Sequence, residues 1–295
     1  MNHITTSSPN PQSSNKSTSP ALLAFHRLSK NKFAMTGFWL ILLILTLVIC
    51  APLLTSRAPD EIDYNAVLQP PSAEHPFGTD DLGRGVYSRV LYGGRESLKV
   101  GFIGIFIALT GGTLLGVWVG YSGGWVDTLV QRLTEVFLAF PVMLLLLSIV
   151  AILGPSLTTI IVALAVSSIP TFSRLVRGSV LSVKEMEYVV AAQALGADGL
   201  RIMRLHILPN IIGPILVYST LGLSGAILLT AGLSYIGLGA QPPSPEWGAM
   251  LNYGRGYLAS AWWMSIFPGL GIFFSVLGIN MLGDGLRDAF DPKAR

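Results

Sequence analysis

The one arrangement here that offers metal chemistry is His75 with Asp80 and Asp81, inside HPFGTDDLGRG, an imidazole and two carboxylates facing a common loop. The same string is dense in Gly, Pro and Asp, and a turn satisfied by its own carboxylates is the expected state. His3, His26 and His206 stand apart from it and from one another. No Gly-x-x-x-x-Gly-Lys-Ser/Thr loop is present to cradle a phosphate; GGRESLK lacks the Gly-Lys-Ser/Thr order. Cys50 is the single cysteine, so no intrachain disulfide forms. It closes LVIC, but the isoleucine before it does not suit a lipid-attachment box, and a cysteine buried in a helix is expected. No catalytic residue, cofactor or metal is therefore assigned to this chain.

The elements that would position any function are membrane spans. Of 295 residues 51% are hydrophobic and 12% charged, about half the charged share of a soluble domain. A run of roughly 20 apolar residues matches the hydrocarbon core of a bilayer. Six such runs are read: 33–54, 100–121, 136–153, 156–172, 211–238 and 262–282. The first is too long for a signal-peptide core and carries Arg27, Lys30 and Lys32 before it, so it is an uncleaved anchor. Residues 1–32 form a polar, disordered tail with that basic flank, and 283–295 a second tail. With both termini in the cytoplasm, thirteen of the nineteen Lys and Arg fall inside and six outside, which agrees with the positive-inside rule. The net charge of +3 thus reflects topology, and with no basic cluster interleaved with aromatics, nucleic acid is not a partner.

Within the second run Gly112, Gly116 and Gly120 recur every four residues, which bares one helix face for close approach by another helix. Phe140-Pro141 predicts a kink in the third run, and the Trp262-Trp263 pair sits where an interfacial belt is expected. The spans hold no Asp, Glu, Lys, Arg or His, which argues against a proton-coupled carrier and for an energy source on another chain. Two outside segments stand out, 55–99 and the Pro-rich 239–261, too polar to span. In the latter, Glu246 and Trp247 are expected to help form a surface facing a periplasmic partner or the outer gate.

The longest inside segment, 173–210, predicts a helix from Val183 to Leu195, broken at Gly196, then a short helical piece from Asp198 to Leu205, capped by Asp198 and ended by Pro209. Such an elbow suits a partner's groove, and the small Ala191 and Ala192 allow close approach.

VVAAQALGADGLRIMRLHILPN in this segment resembles the coupling loop of ABC-importer permeases, with the match on Ala191, Ala192, Gly196, Ile207, Leu208 and Pro209. Val190 stands where that family usually has a glutamate, so charge contacts would rest on Glu187, Asp198 or Arg201. HPFGTDDLGRGVYSRVLYGGRESL, LGLGAQPPSPEWGAML and LGDGLRDAFDPK are similar to the C-type permease of dipeptide, oligopeptide, nickel and glutathione importers. The resemblance implies an all-α integral membrane protein of the type I importer fold, with the core domain at 97–286. It implies a homologous B-type permease, two ATPase subunits holding ATP and Mg, a periplasmic substrate-binding protein, and the bacterial inner membrane. An ion-coupled carrier or a membrane-embedded enzyme is the alternative, which a co-purifying ATPase would exclude.

Overall fold

The structure, a computed structural model, describes residues 26–290. The tail at 1–20 and the outermost basic residues Lys16, Lys293 and Arg295 lie outside the described residues. Its helices are α1 (Lys32–Ile49), α2 (Ala51–Leu54), α3 (Val86–Ser122), α4 (Gly124–Ala139), α5 (Val142–Leu153), α6 (Leu157–Lys184), α7 (Glu187–Ala194), α8 (Gly199–Ile202), α9 (Leu208–Tyr235), α10 (Trp247–Gly254) and α11 (Trp263–Phe290). No strand occurs among the described residues beyond an isolated bridge between Thr79 and Gly85.

Five helical runs are long and apolar enough to cross a bilayer: α1, α3, α6, the run from α8 through α9, and α11. The sixth crossing is α4 with α5, bent by 89°. The cause is local. Pro141 forces the residue before it out of helical conformation, and Phe140 adopts φ −82°, ψ 135°. An even number of crossings agrees with where the described ends meet. Asn31 Nδ2 donates to Asp288 Oδ2 at 3.5 Å, and Gly285 lies against Ala34. This terminal end also carries α7, while residues 55–85 and α10 cover the opposite end.

Close helix pairing builds the bundle. A side chain on Gly116 would place its Cβ 2.6 Å from the Ser173 carbonyl and 2.8 Å from Val176 Cβ; on Gly120, 3.0 Å from Val180 Cβ. Gly112 abuts Phe172 in the same way, and Gly104 continues the stripe against Leu164. Glycine thus lets α3 and α6 meet backbone to side chain, and dispersion at that range replaces a hydrophobic drive that lipid does not provide. Gly37 does the same for α1 on α11, 2.6 Å from Met281 Cβ.

Several boundaries differ from the sequence expectation. Helix α3 begins at Val86, so 86–99 is not loop. Its two arginines are met by the protein: Arg89 Nη1 donates to the Pro59 carbonyl at 2.9 Å, and Arg95 donates to Val48 and Ile49 carbonyls at 2.8 and 2.6 Å. Helix α6 runs past residue 172 to Lys184 with Pro170 inside it. Trp263 is not in an interfacial belt. It is buried, and its indole N–H donates to the Thr79 carbonyl at 2.9 Å. Cys50 is half-exposed at the joint between α1 and α2, not enclosed in a helix.

Arg95 closes the last carbonyls of α1, groups that a helix cannot satisfy itself. Arg95→Met keeps the stem and removes both bonds. It is expected to cost about 1–2 kcal/mol and to hasten protease cleavage between α1 and α3 in detergent. Cleavage at the wild-type rate would contradict this role.

Candidate coupling helix, opposite-end lock and solute groove

The segment expected to couple forms a separate module at the terminal end. Chain direction breaks at Glu185–Met186 and not only at Gly196, so α7 is a distinct helix of eight residues after α6. Its inward face is Val189, fully buried among Val176, Val180, Val183, Ile202, Ile207 and Ile211. Gly196 has φ +81° in open space, so conformation and not crowding calls for glycine. Two bonds close the helix end there: Gly196 N–H donates to Gln193 at 2.9 Å and Ala197 N–H to Ala192 at 3.1 Å, the Schellman pattern. Asp198 Oδ1 accepts from Arg201 N–H at 2.9 Å and caps α8.

Pro209 does not end the helical run, contrary to expectation. A wide π turn, Met203–Ile207, leads straight into α9, with Pro209 in that helix's first turn, where a missing N–H costs little. Of the expected coupling residues, Ile207 faces the core, while Glu187, Val190, Ala191, Gly196, Asp198, Arg201, Leu208 and Pro209 are exposed and Ala192 is half-buried. The loop's outer surface is apolar: Leu195 is 89% exposed, with Met186, Val190, Leu200 and Leu205 also bare.

Glu246 and Trp247, expected on a partner surface, are instead shut inside the opposite end, at 0% and 2% exposure. Glu246 caps α10. Its Oε1 accepts from Ser97 Oγ at 2.9 Å and Gly248 N–H at 3.0 Å, and its Oε2 from Ala249 N–H at 2.9 Å. Ser97 Oγ accepts in turn from Trp247 N–H at 3.0 Å, and the indole donates to the Val90 carbonyl at 2.8 Å. Gly93, Gly94 and Gly271 form the slot for that ring. A carboxylate and an indole in a Pro-rich segment look like surface groups; besides the local cap onto Gly248 and Ala249, their partners Ser97 and Val90 lie some 150 residues away on α3, and no local pattern signals those. The loop over this end is similarly self-contained. Asp80 accepts from Leu82 and Arg84 N–H groups at 2.9 Å each and from Arg84 Nε at 2.6 Å, so its carboxylate is used within its own turn.

Between α3, α6 and α9 lies a cavity of about 310 Å³ that sequence reasoning did not find. Ser168, Thr171, Tyr218, Gly222 and Gly225 line it with Ile105, Leu164, Phe172 and Leu221. Tyr218 lies ten residues into α9, roughly 15 Å along its axis. Some hydroxyls in these helices donate back to a carbonyl of the previous turn, as Ser167, Ser219 and Ser224 do. Among the described residues, Ser168, Thr171 and Tyr218 have no such partner and present free hydroxyls to the groove. Gly225 would meet nothing within 4 Å if given a side chain, so its face is open space.

Comparison with known proteins accounts for this architecture. Residues 112–295 match the family described as binding-protein-dependent transport system inner membrane component. Residues 19–71 match the N-terminal TM domain of oligopeptide transport permease C. The dipeptide transport system permease protein DppC of Alkalihalophilus pseudofirmus is 49% identical over 288 residues, 98% of this chain and 95% of that protein. The glutathione transport system permease protein GsiD of Pectobacterium atrosepticum is 42% identical over 88% of this chain and 86% of its own length. The di/tripeptide transport system permease protein DppC of Pseudomonas aeruginosa is 42% identical over 94% of this chain and 93% of its own. In fold, the chain resembles a solved inward-facing conformation of the MetNI methionine ABC transporter, with TM-score 0.54 and 22% identity over 68% of this chain and 95% of that one. The bundle of six crossings, the broken third span and the match over most of its length place this chain in the family of inner membrane components of binding-protein-dependent transport systems, as a permease subunit of such an importer.

Proposed function

We propose that this permease forms half of an ATP-driven import pathway for peptides or peptide-like solutes in a bacterial inner membrane. A homologous permease supplies the other half, separate ATPase subunits hold ATP and Mg at the cytoplasmic side, and a periplasmic binding protein delivers solute. The terminal end, with α7, is the cytoplasmic end in this reading. One observation carries it: α7 stands on a private core through Val189, while its other face, ending at Leu195, is apolar and bare. A soluble partner must cover that face. The named relatives transport dipeptides, di- and tripeptides and glutathione, and their shared chemistry is the amide bond. The groove suits such solutes. It has no charge to select side chains, and its free hydroxyls both donate to and accept from amides.

The test is uptake of labelled dipeptides and glutathione by vesicles holding the permease pair, the ATPases and the binding protein. Gly225→Leu projects a side chain into the groove without meeting a neighbour in this chain. It is expected to lower uptake severalfold while the ATPases still co-purify. Wild-type uptake would remove the groove from the solute path, and a permease pair that binds no ATPase would overturn the importer reading.

A further inference from the structure

Helix α4 is lightly held. Of its residues only Thr134 is buried. It is entered through Gly123 and Gly124, both in the left-handed region at φ +66° and +64°, and a side chain at either would meet nothing within 4 Å. These glycines serve backbone conformation and not space, so they form a two-residue joint. At its far end α4 meets the 89° break to α5. A helix with a joint at each end moves as a rod, steered by whatever grips it between them.

One side chain grips it strongly. Asp127, in the first turn of α4, takes two parallel bonds from Arg177 of α6: Nε to Oδ1 at 2.5 Å and Nη2 to Oδ2 at 2.6 Å. Both side chains are mostly shielded, at 26% and 16% exposure for Arg177 and Asp127. A two-pronged fork fixes orientation as well as distance, which a single bond does not. The other ion pair on α4, Arg132 with Glu135, lies within the helix and ties it to nothing else. Arg177 lies two turns before Lys184, where α6 ends and the chain turns into α7. Lys184 itself donates to the Tyr121 carbonyl at 2.7 Å, next to the glycine joint.

We propose that the Asp127–Arg177 fork is a strut that carries displacement of α6 and the coupling helix α7 into the broken span α4–α5. This rests on the importer reading above. Both are positioning residues, since they touch neither solute nor nucleotide. Movement of α7 by a partner shifts the cytoplasmic end of α6; the fork forces α4 to follow, and the Gly123-Gly124 joint lets it rotate without bending α3. Without the fork, α6 moves while α4 stays behind.

The experiment uses the assembled complex in vesicles and three readouts: ATPase co-purification, ATP hydrolysis stimulated by the binding protein, and solute moved per ATP hydrolysed. Asp127→Asn removes the charge pair, and Arg177→Lys keeps charge but loses the fork. Both are expected to retain docking and hydrolysis while solute per ATP falls roughly fivefold or more. The exchange of Asp127→Arg with Arg177→Asp is expected to recover part of that loss. Equal loss in all three readouts would make the pair a plain structural tie and overturn the strut. Unchanged solute per ATP in the single variants would overturn it too. If the wild-type complex itself fails to couple transport to ATP, the importer reading falls and takes the strut with it.

Discussion

Replacing Glu246 with alanine is expected to destabilise the outward end of the bundle by about 3–5 kcal/mol, because each buried donor left without an acceptor costs about 1–3 kcal/mol. Three donors lose their acceptor at once: Ser97 Oγ and the N–H groups of Gly248 and Ala249. The cavity is closed to water, since Glu246 and Trp247 are among the most enclosed large side chains. The damage spreads, because Ser97 also holds Trp247 N–H, and the indole plugs the slot between α3 and α11. Glu246→Gln gives an intermediate loss. Its oxygen can keep the Ser97 and Gly248 bonds, but its NH₂ then faces the Ala249 N–H, donor against donor. The measurement is the thermal midpoint of the purified permease in detergent, expected to fall by roughly 5–10 °C for alanine and by less for glutamine. Equal midpoints for all three proteins would show that these bonds do not hold α10 in place. Binding-protein stimulation is expected to fall only in proportion to folded protein, because Glu246 does not reach the surface.

Features set by local periodicity were legible in the sequence. Three glycines four residues apart must share a helix face whatever that face meets, and Gly112, Gly116 and Gly120 do share one, against α6. Gly196 was legible for the same reason: helix formers that stop at a glycine predict a left-handed close, and φ +81° delivers it. Phe140-Pro141 announced a kink, and the break falls there, with Phe140 extended; its size of 89° is not written in the dipeptide. The start of α3 was hidden because Arg89 and Arg95 look like loop charges until the carbonyls of Pro59, Val48 and Ile49 are seen to receive them. The Asp127–Arg177 fork and the Ser168–Thr171–Tyr218 groove join residues about 50 apart, so no spacing rule reaches them. Glu246 was misread on the same ground: its cap onto Gly248 and Ala249 is local, but its burial depends on Ser97 and α3, which only the fold brings near.

The coupling module carries the sharpest expectation. Leu195 is 89% exposed at the tip of α7, and a leucine so placed gains about 1.5–3 kcal/mol when a partner covers it. Leu195→Asp removes that gain and adds the cost of desolvating an unpaired carboxylate, together more than about 100-fold in affinity for the ATPase. Ala191→Asp is expected to do the same from the exposed face of the helix, and Ala192→Asp to act more weakly, because Ala192 is half turned toward the bundle. None of these positions enters the core around Val189, so insertion, pairing with the second permease and thermal stability stay at wild-type levels. Gly196→Val works by a different route. Open space surrounds the residue, but φ +81° costs a branched side chain about 1–2 kcal/mol, so α7 loses its closing turn and holds its tip less firmly. Docking should then weaken by roughly tenfold and not vanish. Co-purification of the ATPase with the permease pair and uptake in vesicles read all four variants. Full ATPase binding and full uptake by Leu195→Asp would mean that the bare face of α7 is not where the partner sits. Stability loss in Leu195→Asp matching its loss of docking would place the effect in folding instead.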